Sequence, residues 1–284
     1  MKLGLLANTA RPGAAAVIAE ILDWAKKSAV EVFIFSDGPP PASGGTAVSE
    51  EELAAQADVV LALGGDGTIL RTARAVGPSQ KPILGINTGG LGFLAELSNR
   101  NVSAALEALK KRDYRLEERM VLQAEIKTAG RKFFALNDVV VEKGEVRRLL
   151  RLSLAANGEY ICSYASDGLV IATPTGSTAY SLSVGGPIIN PKMALTIAVP
   201  ISPHSLASRP LIFEPGDVLE VALSQPEKEA LLTVDGQVSV KITSADRLEV
   251  KRAPHTVRLV RFKGESFYQV LRRKLHWGVL PGEK

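Results

Sequence analysis

One five-residue turn, Gly64-Gly65-Asp66-Gly67-Thr68, joins what a phosphate needs to a group that phosphate binding alone would exclude. Glycines between a strand and a helix let backbone N–H groups approach phosphate oxygens closely, and the helix N-terminus adds its positive dipole end. A pyrophosphate or triphosphate fits such a turn. The Asp66 carboxylate would repel that anion, so its presence points to a held metal ion or to a proton taken from an attacking hydroxyl. The alternative is a tight turn in which Asp66 only caps the helix, since Asp is a favoured N-cap. Neither G-x-x-x-x-G-K-S/T nor a G-x-G-x-x-G after the first strand occurs, which excludes a Walker A loop and a Rossmann fingerprint. A second glycine cluster, Asn87-Thr-Gly-Gly-Leu-Gly-Phe93, follows the next strand of the same expected sheet. Parallel strands put both loops at their C-terminal ends, where open α/β sheets bind ligands.

A third segment, residues 164–187, carries six Ser/Thr hydroxyls between 173 and 183 together with Gly176 and Tyr180. It can hydrogen-bond ribose hydroxyls and base edges while Tyr180 stacks on an adenine or nicotinamide ring, or it can be a hydroxyl-rich turn that caps a helix. Asn137-Asp138 interrupts the apolar run 133–141; the pair either faces solvent on an edge strand or offers bidentate contacts to vicinal ribose hydroxyls. Arg147, Arg148 and Arg151 follow, as phosphate ligands or as a solvated basic face. His204, His255 and His276 have no metal-ligand spacing, and the single Cys162 allows neither an intrachain disulfide nor a cysteine metal cage.

These residues need elements to hold them. Spacing predicts strands over 3–7, 30–35, 59–63 and 82–87, alternating with helices over 13–28, 50–57, 68–76 and 102–110; residues 37–49 read as a Pro/Gly/Ser-rich loop. That alternation predicts a parallel sheet covered on both faces, a Rossmann-like α/β domain over residues 1–112. From about residue 114 the pattern changes to short strands, at 120–127, 132–141, 149–155, 168–172, 195–199, 211–213, 218–222, 230–234 and 247–251. Turn signals such as Asn157-Gly158 and Asp235-Gly236 separate them. This predicts an all-β, sandwich-like second domain over residues 113–261, and helical spacing returns at 266–276.

The chain has 284 residues and a formal charge of +4, but residues 251–284 alone carry +7 and leave −3 for the rest, so the basic excess belongs to the tail. No nucleic-acid partner follows from it. Asn8 and Arg11 interrupt the opening apolar run before it reaches signal-peptide length, and no stretch reaches the ~18 apolar residues of a membrane helix. A cytoplasmic protein without a membrane partner is the expectation.

The motifs at 64–68, 87–93 and 137–138, SDG at 166–168, TPTGSTAYSLSVGGP at 173–187, PHSLASRP at 203–210 and DGQ at 235–237 resemble those of NAD kinases in type and order, over nearly the whole chain. The resemblance implies phosphoryl transfer from ATP to the 2′-hydroxyl of the adenosine ribose of NAD. It also implies a divalent cation, magnesium by family habit, and a homo-oligomer, a dimer or tetramer, that shares part of the NAD site between subunits. It makes Asp66 the catalytic base and sets Gly67 against phosphates, with Arg71 reaching the phosphate groups and Phe93 in the second loop. Asn137 and Asp138 hold adenine and ribose hydroxyls on this reading. Asp167, Thr178, Ala179, Tyr180, Ser181, Leu182 and Ser183 are nucleotide-binding positions, and Gln237 is a downstream one. Arg148 matches a position that is often His or Arg. Ala165 stands where many relatives carry Arg or Lys, so one phosphate or nicotinamide-side contact is expected to be missing. Family architecture also has the tail, residues 262–284, packing back on the first domain. GGDGT alone is shared with lipid kinases and phosphofructokinases, so a lipid or sugar kinase and a non-catalytic NAD or NADP sensor are the competing readings; no metal ligand is identified.

Overall fold

Runs that are apolar at every position, such as those around Leu5 and Leu61, suit strands covered on both faces. In the structure, a computed structural model that describes residues 1–36, 44–90, 92–98, 101–144, 149–224, 229–262 and 266–276, they form the centre of a parallel sheet. The chain divides into two units, Met1–Glu118 with Val257–Lys284 and Arg119–Thr256.

The first unit runs β1 (Lys2–Ala7), α1 (Ala14–Ser28), β2 (Glu31–Ser36), β3 (Thr46–Ala47), α2 (Glu50–Gln56), β4 (Val59–Gly64), α3 (Asp66–Val76), β5 (Ile83–Asn87), β6 (Leu97–Ser98) and α4 (Val102–Lys111). The order β5-β4-β1-β2-β3 is parallel throughout, with β6 beside the end of β5. Every residue of β4 and β5 is buried. Helices α1 and α4 bury Val17, Ile18, Ile21, Leu106 and Leu109 at helical spacing in one core with Leu5, Leu61 and Leu84. A capping box between Ser49 and Glu52 starts α2.

The second unit is antiparallel. Its strands are β7 (Arg115–Ile126, which enters from the first unit), β8 (Arg131–Ala135), β9 (Asp138–Glu142), β10 (Leu150–Ala156), β11 (Glu159–Ser166), β12 (Gly168–Ala172), β13 (Thr196–Ile201), β14 (Leu211–Phe213), β15 (Leu219–Leu223), β16 (Glu229–Val234), β17 (Val238–Thr243) and β18 (Leu248–Arg261), with a one-turn helix α5 (Tyr180–Ser183). One layer has the order β14-β13-β12-β9-β16-β17; the other contains β11-β10-β15-β18, with β7 on β18 and β8 on β7. Inward residues of both layers, among them Leu122, Leu152, Val139, Leu169 and Leu232, share one core, which makes the unit a sandwich. The single strand expected over 132–141 is interrupted at Leu136-Asn137, and β11 and β17, which follow the Asn157-Gly158 and Asp235-Gly236 turns, are strands that the sequence pattern did not predict. Among the described residues no helix is long and apolar enough to cross a membrane.

The end of β18 and helix α6 (Phe267–Leu275) lie in the first unit. Leu259 pairs in parallel with Ile83, and Leu271 is buried under α6, whose N-terminus has a Ser266–Gln269 capping box. Arg261, 8% exposed, fixes this return: Nη1 donates to the carbonyl of Leu94 at 3.0 Å and to Glu96 at 3.1 Å, and Nε donates to Glu117 at 3.3 Å. Removing that guanidinium takes its positive charge away from two largely buried carboxylates, Glu96 and Glu117. Arg261→Ala is therefore expected to lower the unfolding free energy by about 3 kcal/mol in urea titration; a loss indistinguishable from zero would contradict the role.

Candidate functional site

In the first unit the loops after β1, β4 and β5 stand side by side at the C-terminal edge of the sheet. Asn87, 2% exposed, shapes the last of them: its side-chain amide donates to the carbonyl of Gly90 at 2.7 Å, and its Oδ1 accepts from the N–H of Gly89 at 2.8 Å. Asp66 occupies the first turn of α3, behind the N-cap Gly65. Its carboxylate reaches across to the neighbouring loop, Oδ2 accepting from the N–H of Phe93 at 2.9 Å and Oδ1 from that of Leu94 at 3.2 Å. A Cβ on Gly92 would strike that carboxylate, so only glycine permits the approach. Each carboxylate oxygen keeps a second lone-pair direction, and Asp66 can accept a hydroxyl proton without leaving the loop. Gly67 is exposed beside it.

Arg71, further along α3, is held by an acid and a ring. Its Nε donates to Glu50 at 2.9 Å, and its guanidinium lies 4.9 Å from the centre of the Phe35 ring. Phe93 is half-buried, with the Lys274 ammonium of α6 at 6.0 Å over its ring, so the basic tail meets the second glycine loop; Arg272, Arg273 and Lys274 are exposed.

In the second unit Asn137-Asp138 is gripped from two sides. The Asp235-Gly236 hairpin turn has both residues in the left-handed region (φ 50° and 64°) and turns the Asp235 carboxylate onto the broken strand. Oδ2 accepts from the N–H of Leu136 at 2.9 Å, and Oδ1 accepts from Asn137 at 2.8 Å and Asp138 at 3.0 Å. From the other side Thr173 donates its N–H to the carbonyl of Asn137 at 2.9 Å and its hydroxyl to that of Leu136 at 2.6 Å. The Asn137 carbonyl lies where a Cβ on Gly176 would sit. These bonds replace the ladder at the strand break.

They also frame a cavity of about 320 Å³, lined by Asn137, Asp138, Val140, Glu142, Ala179, Tyr180, Thr233, Asp235 and Gly236. That volume lies at the small end of ligand pockets. Asp138 is 5% exposed, and burial, with the Asp235 charge second, pushes its carboxyl up to about 7. Burial also raises Tyr180, reinforced by the charges of Glu142, Asp138 and Asp167. An acceptor-rich wall of this kind suits sugar hydroxyls and an exocyclic amine, and it repels phosphate.

The remaining expected residues are spread around this pocket or away from it. Asp167 lies between β11 and β12 and pairs with Lys143 at 2.6 Å. The Thr178 hydroxyl donates to the carbonyl of Thr175 at 3.2 Å, and Ser177 is tied to Pro174 and Ile189, so several of the six hydroxyls build the segment itself. Ser181 is fully buried with an unpartnered Oγ, Leu182 is half-buried, and Ser183 is exposed. Ala165 is exposed on β11, and Gln237 is exposed just past the hairpin turn. Arg148 lies outside the described residues. Asp235 and Glu142 line the cavity although sequence reading did not choose them; Asp235 carried a signal, but an Asp-Gly pair between strands reads first as a turn. Among the described residues no three His, Cys, Asp or Glu side chains converge as a metal site. His255 is buried edge-on to Phe134 at 4.8 Å, its pKa lowered by burial.

Comparison with known proteins matches residues 41–114 to the ATP-NAD kinase N-terminal domain and residues 136–262 to the ATP-NAD kinase C-terminal domain. The NAD kinase of Moorella thermoacetica is 41% identical over 98% of this chain and 90% of its own length; that of Geotalea daltonii is 36% identical over 98% and 99%. Among solved structures, an NAD kinase from Archaeoglobus fulgidus in complex with ATP superposes with a TM-score of 0.78 at 27% identity, covering 97% of this chain and 99% of that one. Yeast NADH kinase complexed with NADH, 24% identical, has the same fold with a TM-score of 0.88 over all of this chain and 90% of its own.

The Asp138 environment carries a pH signature. Its carboxyl ionises near 3.8 when unfolded and near 7 when folded, so the folded state holds the proton more tightly. The stability linked to that proton is fully present below about pH 4 and is lost as the pH rises through about 7. Relative to an Asp138→Asn variant, the protein should lose roughly 3–4 kcal/mol of unfolding free energy between those limits. Parallel pH profiles of the two proteins would contradict it.

Proposed function

The chain belongs to the ATP-NAD kinase family and transfers a phosphoryl group from ATP to the 2′-hydroxyl of the adenosine ribose of NAD, giving NADP; we propose that Asp66 is the group that receives the hydroxyl proton. The observation that carries this is the Asp66 carboxylate, anchored through Phe93 and Leu94 while retaining acceptor capacity toward a hydroxyl. The hydroxyl hydrogen-bonds to Asp66 and yields its proton as the new O–P bond forms and the bond to the ADP leaving group breaks. Phosphoryl transfer asks the protein mainly for position and charge, and a carboxylate on the first turn of a helix between two backbone-rich loops supplies both.

The acidic pocket of the second unit takes the uncharged part of a nucleotide. Asn137 and Asp138 accept from and donate to ribose hydroxyls and the adenine edge, and Tyr180, 38% exposed, offers a ring for stacking. Magnesium is the expected cation. Because no carboxylate cage forms among the described residues, it would arrive with the ATP phosphates, as magnesium usually does. A homo-oligomer, dimer or tetramer, is supported by the family resemblance and by exposed apolar side chains of the second unit such as Leu206 and Ile212. A cytoplasmic location accords with the single free cysteine, Cys162.

Asp66→Asn tests the assignment. With NAD, ATP and magnesium the variant, assayed below its own melting temperature, should lose ~10²–10⁴ in kcat. Turnover near the unaltered rate would remove Asp66 from the chemistry.

A further inference from the structure

The loop after β1 sends one long side chain across its two neighbours. Its base is fixed by Asn8, whose N–H donates to the carbonyl of Leu63 at 3.0 Å and whose own carbonyl accepts from the N–H of Arg11 at 3.3 Å. From there the Arg11 guanidinium extends over β4 toward β5. Nη2 lies 3.1 Å from the point a Cβ would take on Gly65, and Nη1 lies 3.4 Å from that point on Gly89. One planar cation thus spans the glycine loops of two adjacent strands from the loop of a third.

Its surroundings are wrong for a cation at rest. Arg11 is exposed, and among the described residues no carboxylate lies within ion-pair distance of it. The nearby Asp66 carboxylate is engaged with Phe93 and Leu94 instead. Two helices begin at this edge, α1 behind Gly13 and α3 behind Gly65; neither N-cap accepts through a side chain, and α1 has no acid in its first turn. A positive charge beside helix N-termini is unfavourable, and an anion between them reverses the sign. The same loops leave the buried Oγ1 of Thr88 without a partner. Arg71, by contrast, is paired with Glu50.

We propose that Arg11 binds the phosphate chain of a nucleotide substrate, closing a clamp whose other jaws are the glycine loops at Gly65 and Gly89. The fork of the guanidinium suits two phosphate oxygens at once, and the glycines leave their backbone open toward the same point. The proposal rests on the kinase reading for its substrates, and the chemistry it names, a nucleotide polyphosphate, belongs to ATP and to NAD alike.

Arg11→Ala and Arg11→Lys decide it. Steady-state kinetics should give a 10- to 100-fold lower kcat/KM for Arg11→Ala, through a raised KM for one nucleotide and with an unchanged melting temperature. Arg11→Lys should recover part of the loss, since it keeps the charge without the fork. A raised KM for ATP assigns the donor's triphosphate, and a raised KM for NAD assigns the acceptor's pyrophosphate. Calorimetry with inorganic tripolyphosphate supplies a readout without turnover: affinity should fall about tenfold or more in Arg11→Ala. Values within twofold of the unaltered protein in both experiments would overturn the proposal. Failure of the kinase reading shows differently, as absence of NADP from the unaltered protein.

Discussion

Two backbone N–H groups, of Phe93 and Leu94, end on the carboxylate of Asp66, and the chemistry of the first unit depends on that pair of bonds. They join the turn that opens α3 to the loop that follows β5, so the paired strands β4 and β5 present one edge. They also settle the conflict of an acid among phosphate-binding glycines. Backbone donors hold the charge in place, and the Arg11 guanidinium lies over the neighbouring glycines Gly65 and Gly89. The rim therefore carries an acceptor for a hydroxyl and a cation with open backbone for a phosphate chain, the two requirements of phosphoryl transfer.

The second unit uses the same device. Asp235 bends from a hairpin turn to take three consecutive N–H groups of residues 136–138, and the strand break it stabilises exposes Asn137 and Asp138 to the cavity. In each unit a carboxylate fixed by main-chain donors shapes the loop that bears the functional groups. The electrostatic outcomes differ. The pocket of the second unit gathers Asp138, Glu142 and Asp235 and suits hydroxyls and amines, whereas the rim of the first suits anions. A dinucleotide and a triphosphate contain both kinds of group.

The doubly covered strands were legible because residues such as Leu61 and Leu84 leave no polar face to confuse a period. Helices α1 and α4 were legible from their amphipathic spacing. Two others were not: the edge strand β11 has an exposed-to-buried alternation diluted by Tyr160, Ile161 and Cys162, and the interior strand β18 runs through an exposed Pro254 that reads as a stop. In the site, Asp66 and Asn137-Asp138 stood out because polar residues interrupt apolar or glycine-rich context. Asp235 looked like an ordinary turn residue, since its use is the carboxylate's reach to a strand about a hundred positions earlier. Arg11 looked like an interruption of an apolar run. Its position over Gly65 and Gly89 is a consequence of strand order, which no local pattern encodes. Of the two uses left open for the hydroxyl-rich segment, Thr173 and Ser177 take the structural one and donate to the carbonyls of Leu136 and Pro174.

The most direct measurement offers the purified chain ATP and magnesium with NAD, a diacylglycerol or a sugar phosphate as alternative acceptors, and follows the phosphorylated product. The account predicts NADP, phosphorylated at the 2′-hydroxyl of the adenosine ribose, formed in step with ADP and no comparable product from the other two. Phosphorylation of the lipid or the sugar with no NADP formed would contradict it.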